Sequence, residues 1–280
     1  MRRLATCICA AVLAIVWIAT DACAEDVLVF LSIKTTGYQE ILKNVQTSCG
    51  GASTRVVNLP DNTELNVPQL VRSSRAKVVL ALGDNAYKST MASDMRIPVI
   101  GVLVTDQRPD TISYLAPPEK YLSVMKKLGR KQVGIIYGNQ LSSYVHKAAE
   151  MAKSYGITLV QRVASNPSDA IDQFSKLKGQ VDALWMLPDN SVLTAGSAET
   201  MLKSALERNI PVFAFSSNYL KKGAAVVIEP DRDLIGKVVG EDICSILTNS
   251  QSPLQHDVYR EIGNEVVFNR LRLPKTVYFN

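Results

Sequence analysis

Gln132-Val133-Gly134-Ile135-Ile136-Tyr137, a helical pattern over residues 142–155, then Gly156 and a second strand-like run over residues 157–163 decide how this chain is read. The first run is rich in Val, Ile and Tyr and nearly free of polar alternation, as a strand buried on both faces requires. Gly156 ends the helix well because it tolerates a positive φ. Strand, helix and strand in this order make a βαβ unit, whose crossover is right-handed.

The same unit recurs on both sides. Upstream, Val27-Leu28-Val29-Phe30-Leu31 is a continuous apolar run, and Tyr38, Ile41, Leu42 and Val45 follow at helical spacing. Strands are expected over residues 54–59, 77–82 and 98–104, with helices over 67–74 and 86–93 between them. A short extended piece covers 111–115, and a helix covers 118–128. Downstream, Asn166-Pro167 opens a helix with a cap and a first-turn proline. Strands at 183–187, 211–215 and 224–228 alternate with helices at 197–209 and near 218–221. Pro230-Asp231 introduces a long helix to residue 247, carrying Leu234, Ile235, Val238, Val239, Ile243, Ile246 and Leu247 at its 3.6 period. Two β-like pieces, 257–261 and 265–268, close the chain.

Repeated βα units specify an α/β protein with helices on both faces of parallel sheets. About ten strands divide best into two sheets. The break over residues 105–118, with Pro109, Pro117 and Pro118, suits a crossover between lobes. The expected fold is two Rossmann-like lobes joined by hinge crossovers.

Residues 1–24 read as a secretory signal peptide: Arg2 and Arg3, an apolar run broken by Thr6, and Ala22-Cys23-Ala24 as an A-x-A cleavage pattern. A membrane anchor needs about 20 apolar residues, and Asp21 interrupts this run early. Lipidation at Cys23 is the other alternative; Ala22 fits it, whereas Thr20 and Asp21 do not. Cleavage after Ala24 places the protein in a periplasm.

Hydrophobic residues make up 47% of the chain, enough for a full core, and the net charge is +5. Its basic residues are scattered, so no stripe for nucleic acid is present. Of five cysteines, Cys49 and Cys244 follow the leader. An exported chain can oxidise them, and two separate buried thiols are the alternative. With no C-x-x-C or His/Cys cluster, neither a metal nor a cofactor is expected.

Ligands of open α/β sheets bind outside the carboxyl ends of the strands. Six such loops carry hydrogen-bonding side chains: residues 34–37, 83–86, 105–108, 138–144, 188–191 and 216–219. Three lie in each half. Thr36, Asn85, Asp106, Tyr144, Asp189, Asn190 and Ser217 are the candidate ligand contacts, with Tyr137 and Tyr144 as stacking walls. Asp, Asn and Ser at these positions also serve as helix caps. Catalysis has little support. His146 lies in a helix without an evident partner, and His256 lies in a polar connection. Ser216 lacks a G-x-S-x-G elbow, and no Walker A or G-x-G-x-x-G motif occurs.

Three segments carry a resemblance. They are Leu82-Gly83-Asp84-Asn85-Ala86 with Ile97-Pro98-Val99 and Val104-Thr105-Asp106; Pro188-Asp189-Asn190-Ser191-Val192 with Arg208-Asn209-Ile210-Pro211-Val212-Phe213; and Lys222-Gly223-Ala224 through Asp231, Gly236 and Ile246-Leu247. In this order the chain resembles the periplasmic substrate-binding proteins of ABC importers with the type I fold, in the branch that includes tryptophan- and tyrosine-binding members. The resemblance implies a monomeric, non-catalytic receptor that closes on a small polar solute, such as an amino acid, and presents it to an inner-membrane permease. It implies a first lobe of residues 25–112 plus about 230–255, and a second of 113–229 plus about 256–280. The helix after Asp231 would then bring Cys244 beside Cys49, and a disulfide is expected. One wall departs from the branch, because the first strand runs straight into Lys34-Thr35-Thr36-Gly37-Tyr38. An exported sensor or adaptor for a membrane receptor is the alternative role, and an exported doubly wound enzyme a further one. No helix-turn-helix precedes Val27.

Overall fold

The computed structural model describes residues 25–59, 66–92, 96–250 and 257–278. The leader, Cys23 and His256 lie outside them.

Two sheets form. The first contains β1 (Val27–Leu31), β2 (Thr54–Asn58), β3 (Val78–Leu82), β4 (Val99–Val104) and β5 (Thr111–Ser113), all parallel, in the order β2-β1-β3-β4-β5. Every residue of β1 and β3 is buried, which is why both appear as unbroken apolar runs. The edge strand β2 is half exposed. One face is covered by α1 (Thr36–Ser48) and α8 (Arg232–Leu247), the other by α2 (Val67–Ser74) and α3 (Asp84–Met91).

The second sheet contains β6 (Gln132–Tyr137), β7 (Thr158–Val163), β8 (Ala183–Met186), β9 (Val212–Ala214), β10 (Val226–Pro230) and β11 (Tyr259–Gly263). Their order is β11-β10-β9-β8-β6-β7, with β11 alone antiparallel. The helices α4 (Pro118–Lys127) and α5 (Ser142–Ser154) cover one face, and α6 (Pro167–Leu177) and α7 (Ala195–Glu207) the other. Both sheets are thus doubly wound, the α/β architecture expected from the alternating pattern.

The tail differs from the expectation. Residues 265–268 are not a strand but the start of α9 (Glu265–Leu271). Val266 and Val267 suggest β structure locally, yet Asn264 caps a helix by accepting from the Val267 amide. Val267 and Phe268 are buried, while Val266 is 76% exposed, the one-sidedness of a surface helix.

The chain crosses between the halves three times: after β5, after β10 and before β11. The Tyr259 hydroxyl donates to Ser113 O at 2.7 Å, and the Asp231 amide donates to Val258 O at 2.7 Å. These bonds tie the crossings side by side.

The halves are consolidated differently. In the first, α8 lies directly on α1. A Cβ at Gly236 would sit 2.4 Å from Asn44 Cβ, and one at Gly240 would sit 2.6 Å from Ser48 Cβ; only glycine permits this approach. Farther along the same pair of helices, Cys49 and Cys244 form a disulfide. In the second half, Trp185 is wholly buried, with the Tyr121 ring 4.7 Å and the Tyr144 ring 6.0 Å from it.

Candidate ligand-binding cleft

The carboxyl ends of the parallel strands in both sheets face a common cleft. Its floor is Tyr114, just past β5, which lines two adjoining cavities. The larger one, about 580 Å³, is bounded by Asp84, Tyr87, Lys88, Thr105, Asp106 and Arg108 of the first half and by Gln140 and Leu141 of the second. The other, about 530 Å³, takes Glu40, Leu103 and the start of α8 from the first half. From the second it takes Pro188, Phe215, Ser216, Ser217, Glu229 and Arg260.

Two aspartates organise the rims. Asp84, after β3, accepts from the Thr105 amide at 2.7 Å and from the Thr105 hydroxyl. It laces the end of β3 to the end of β4. Asp189, after β8, is buried and accepts from the Gly138 amide at 2.7 Å, the Gln140 side chain, and the Ser191 amide and hydroxyl at 3.1 and 2.6 Å. It laces β8 to β6. Gly83 makes the turn before Asp84 with a φ of 89°, and a Cβ there would lie 2.4 Å from the Tyr38 hydroxyl.

The candidate contacts divide accordingly. Asp106 and Ser217 line the cavities. Asp106 is engaged, its carboxylate 3.1 Å from Arg108 Nε. The Ser217 amide donates to Glu229 Oε2 at 2.6 Å. Thr36, Asn85 and Asn190 are exposed and line neither cavity. Tyr144 requires correction: its ring is in the Trp185 core and its hydroxyl donates to Ala116 O at 2.7 Å. Tyr137 is likewise buried, 3.2 Å from Gln161 Oε1. Neither is a stacking wall. Asp189 is also corrected, because its oxygens are occupied by the loop it holds and it lines neither cavity.

Several lining residues escaped sequence reasoning. Tyr114, Leu103, Glu229 and Arg260 are the principal ones. Glu229 could have been suspected, since a carboxylate ends an otherwise apolar strand. Burial raises the pKa of Tyr38, reinforced by the charge of Asp84 and then by Tyr114. Burial also raises that of Tyr114, opposed by its hydrogen bond with Thr105 and reinforced by Asp84 and Asp189. Both phenols stay protonated at neutral pH and can donate. Leu103 has a φ of 53° near the end of β4, where the pairing with β5 shifts register. Such backbone is uncommon for a non-glycine residue. Among the described residues, no cluster of His, Cys, Asp and Glu could hold a metal.

Two doubly wound sheets whose strand ends face one another across a polar cleft define a two-lobed α/β protein. Residues 111–275, more than half of the chain, match the family described as ABC transporter substrate binding protein, and the chain belongs to that family. It is 25% identical over 195 residues to a tyrosine-binding protein of Clostridioides difficile (strain R20291), covering 62% of this chain and 56% of that relative. The fold also matches an ABC domain in complex with L-Trp from Streptococcus pneumonia, with a TM-score of 0.64 at 15% identity, covering 90% of this chain and 96% of that one. The ligand-free, open structure of a substrate-binding protein with adhesive properties from Clostridium difficile matches with a TM-score of 0.71 at 20% identity, over the same shares of the two chains. The chain spans just over half of the length of its tyrosine-binding relative.

Proposed function

We propose that this protein is the extracytoplasmic receptor of an ABC importer. It takes a small polar solute into the cleft over Tyr114 and passes it, in the closed form, to a membrane permease. The lobes of this reading are residues 25–112 with about 230–255, and 113–229 with about 256–280. They close about the three crossings, and ligand hydrogen bonds to both sides make the closed state dominant. The observation that carries the reading is that one residue, Tyr114, floors two cavities whose walls come from both halves. Asp106 and Ser217 are the contacts of this reading, with Tyr114 and Arg260 added. The receptor is monomeric and non-catalytic, and residues 1–24 direct it to a periplasm. Among the described residues, no helix is long and apolar enough to cross a membrane.

Titration calorimetry with L-tyrosine, L-tryptophan and a metabolite panel tests it, paired with small-angle scattering. Saturable binding with a fall in the radius of gyration is expected. Binding that leaves the radius unchanged overturns closure. Turnover of the bound compound overturns the receptor role.

A further inference from the structure

The 530 Å³ cavity contains a guanidinium held as a ligand-binding group would be. Glu229 and Arg260 are direct cross-strand partners on β10 and β11. Glu229 Oε1 accepts from Arg260 Nε at 2.8 Å and from Nη2, while Oε2 takes the Ser217 amide. The carboxylate side chain is only 10% exposed, whereas the guanidinium side chain is 52% exposed. A fork held on one edge by a buried carboxylate cannot wander, so little freedom is lost when its other edge binds. Of the five N–H groups an arginine carries, those of Nη1 make no bond to another described residue, and Nη1 is a free edge of the fork.

Two other arginines are weaker candidates. Arg108 is held by Asp106 at 3.1 Å, but that carboxylate is itself 39% exposed. Arg232 meets Glu40 at 3.5 Å with both side chains 56% exposed. Of these three, Arg260 alone combines a buried holder with an open edge. Beside it, Phe215, Pro188 and Leu103 supply apolar wall, and Ser216 adds a hydroxyl.

On the receptor reading above, we propose that Arg260, oriented by Glu229, is the carboxylate-binding group of the cleft. The captured solute then has an apolar body and one carboxylate. It is not a multiply charged anion, because the same cavity is lined by four carboxylates, Glu40, Glu229, Asp231 and Asp233, against two guanidiniums. Glu229 is a positioning residue: it touches the arginine rather than the solute.

The test is calorimetry with paired probes: L-tyrosine with tyramine, L-tryptophan with tryptamine, and a panel of other monocarboxylates each with its amide. The wild type is expected to favour the carboxylate of a binding pair. Arg260→Gln should weaken that member by about 10–100-fold, the range of a lost hydrogen bond to a charged group. It should leave the neutral or amine member within about threefold on the same scale. Arg260→Lys should restore part of the preference, and Glu229→Gln should weaken the carboxylate member by a smaller factor. Thermal melts check that each variant is folded. An Arg260→Gln protein that is folded and still discriminates as the wild type does overturns the inference alone. So does a wild type that binds carboxylate and amide equally. A wild type that binds no member of any pair while binding a sugar or other uncharged solute also overturns it and leaves the receptor reading intact. Binding of no solute at all removes both.

Discussion

The two halves share an architecture and differ in what holds them together. In the first, a helix from late in the chain is laid on the first helix through Gly236 and Gly240 and joined to it by Cys49 and Cys244. In the second, consolidation comes from an aromatic centre, Trp185 with Tyr121 and Tyr144. Tyr121 also donates to Ile228 O at 2.9 Å and Ala214 O at 3.2 Å, binding α4 to β9 and β10. The difference shows that one topology tolerates two solutions to the same problem. A sheet covered by a segment remote in sequence gains from a covalent staple, because the loop it closes is long. A sheet covered by adjacent segments relies on packing.

The sharpest way to break this contrast is at Trp185. Trp185→Ala should cost about 3–5 kcal/mol, as large-to-small changes in cores do. Chemical denaturation should show it, with hydrogen exchange rising first in α4, α5 and β8 while α1 and α8 stay protected.

Reduction, or the pair Cys49→Ser and Cys244→Ser, should act on the opposite half. The expected loss is about 2–5 kcal/mol, and fast exchange should be confined to α1, α8 and the strands beneath them. Uniform acceleration in both sheets would show that the halves unfold as one unit.

A finer comparison sets Asp189 against Asp84. Both lace neighbouring strand ends, but Asp189 is buried and has four donors, whereas Asp84 has two and is partly exposed. Asp189→Ala should therefore cost about 1–3 kcal/mol, the range for buried groups left unpaired. Asp84→Ala should stay near 1 kcal/mol by the same reasoning. Thermal melts at fixed pH compare them; equal losses would remove the distinction between the rims.

The smallest effect is at the opposite end of the first sheet. Asp26 accepts from Lys77 Nζ at 2.8 Å and from the Ser53 amide at 3.1 Å. The hydrogen bond with Lys77 is the first cause holding its carboxyl below the ordinary range, followed by that with Ser53. A depressed folded value gives stability that is present above the unfolded carboxylate pKa and lost as pH falls through the folded one. Asp26→Asn should cost under about 1 kcal/mol at neutral pH. The difference from the wild type should close as acid is added, measured by melts from pH 7 downward.

Much of the fold was legible because burial on both faces leaves an unmistakable mark. Val27-Leu28-Val29-Phe30-Leu31 and the run at 78–82 could hardly be anything but central strands. Glu265-Val266-Val267-Phe268 was misread because β-branched residues carry a local preference that a cap and a half-buried face can override. The cleft was legible as a set of loops and not as individual contacts. Asp189 and Tyr144 are the right residue types at strand ends, but whether a side chain turns outward or into its own loop depends on neighbours far along the chain. Glu229 and Arg260 were hidden for the same reason. Their pairing rests on the antiparallel register of β11, which no local pattern announces.

The return of α8 to the first helix has a consequence for how the molecule is made. A chain emerging from its N-terminus delivers β1 to β5 first, yet one face of that sheet has only α1 to cover it until residues 232–247 arrive. The second half has most of its strands by then and can condense on local contacts. Much of the half synthesised first thus waits for a segment made after most of the second half, and the uncovered part of its apolar face must be kept from other chains throughout the interval.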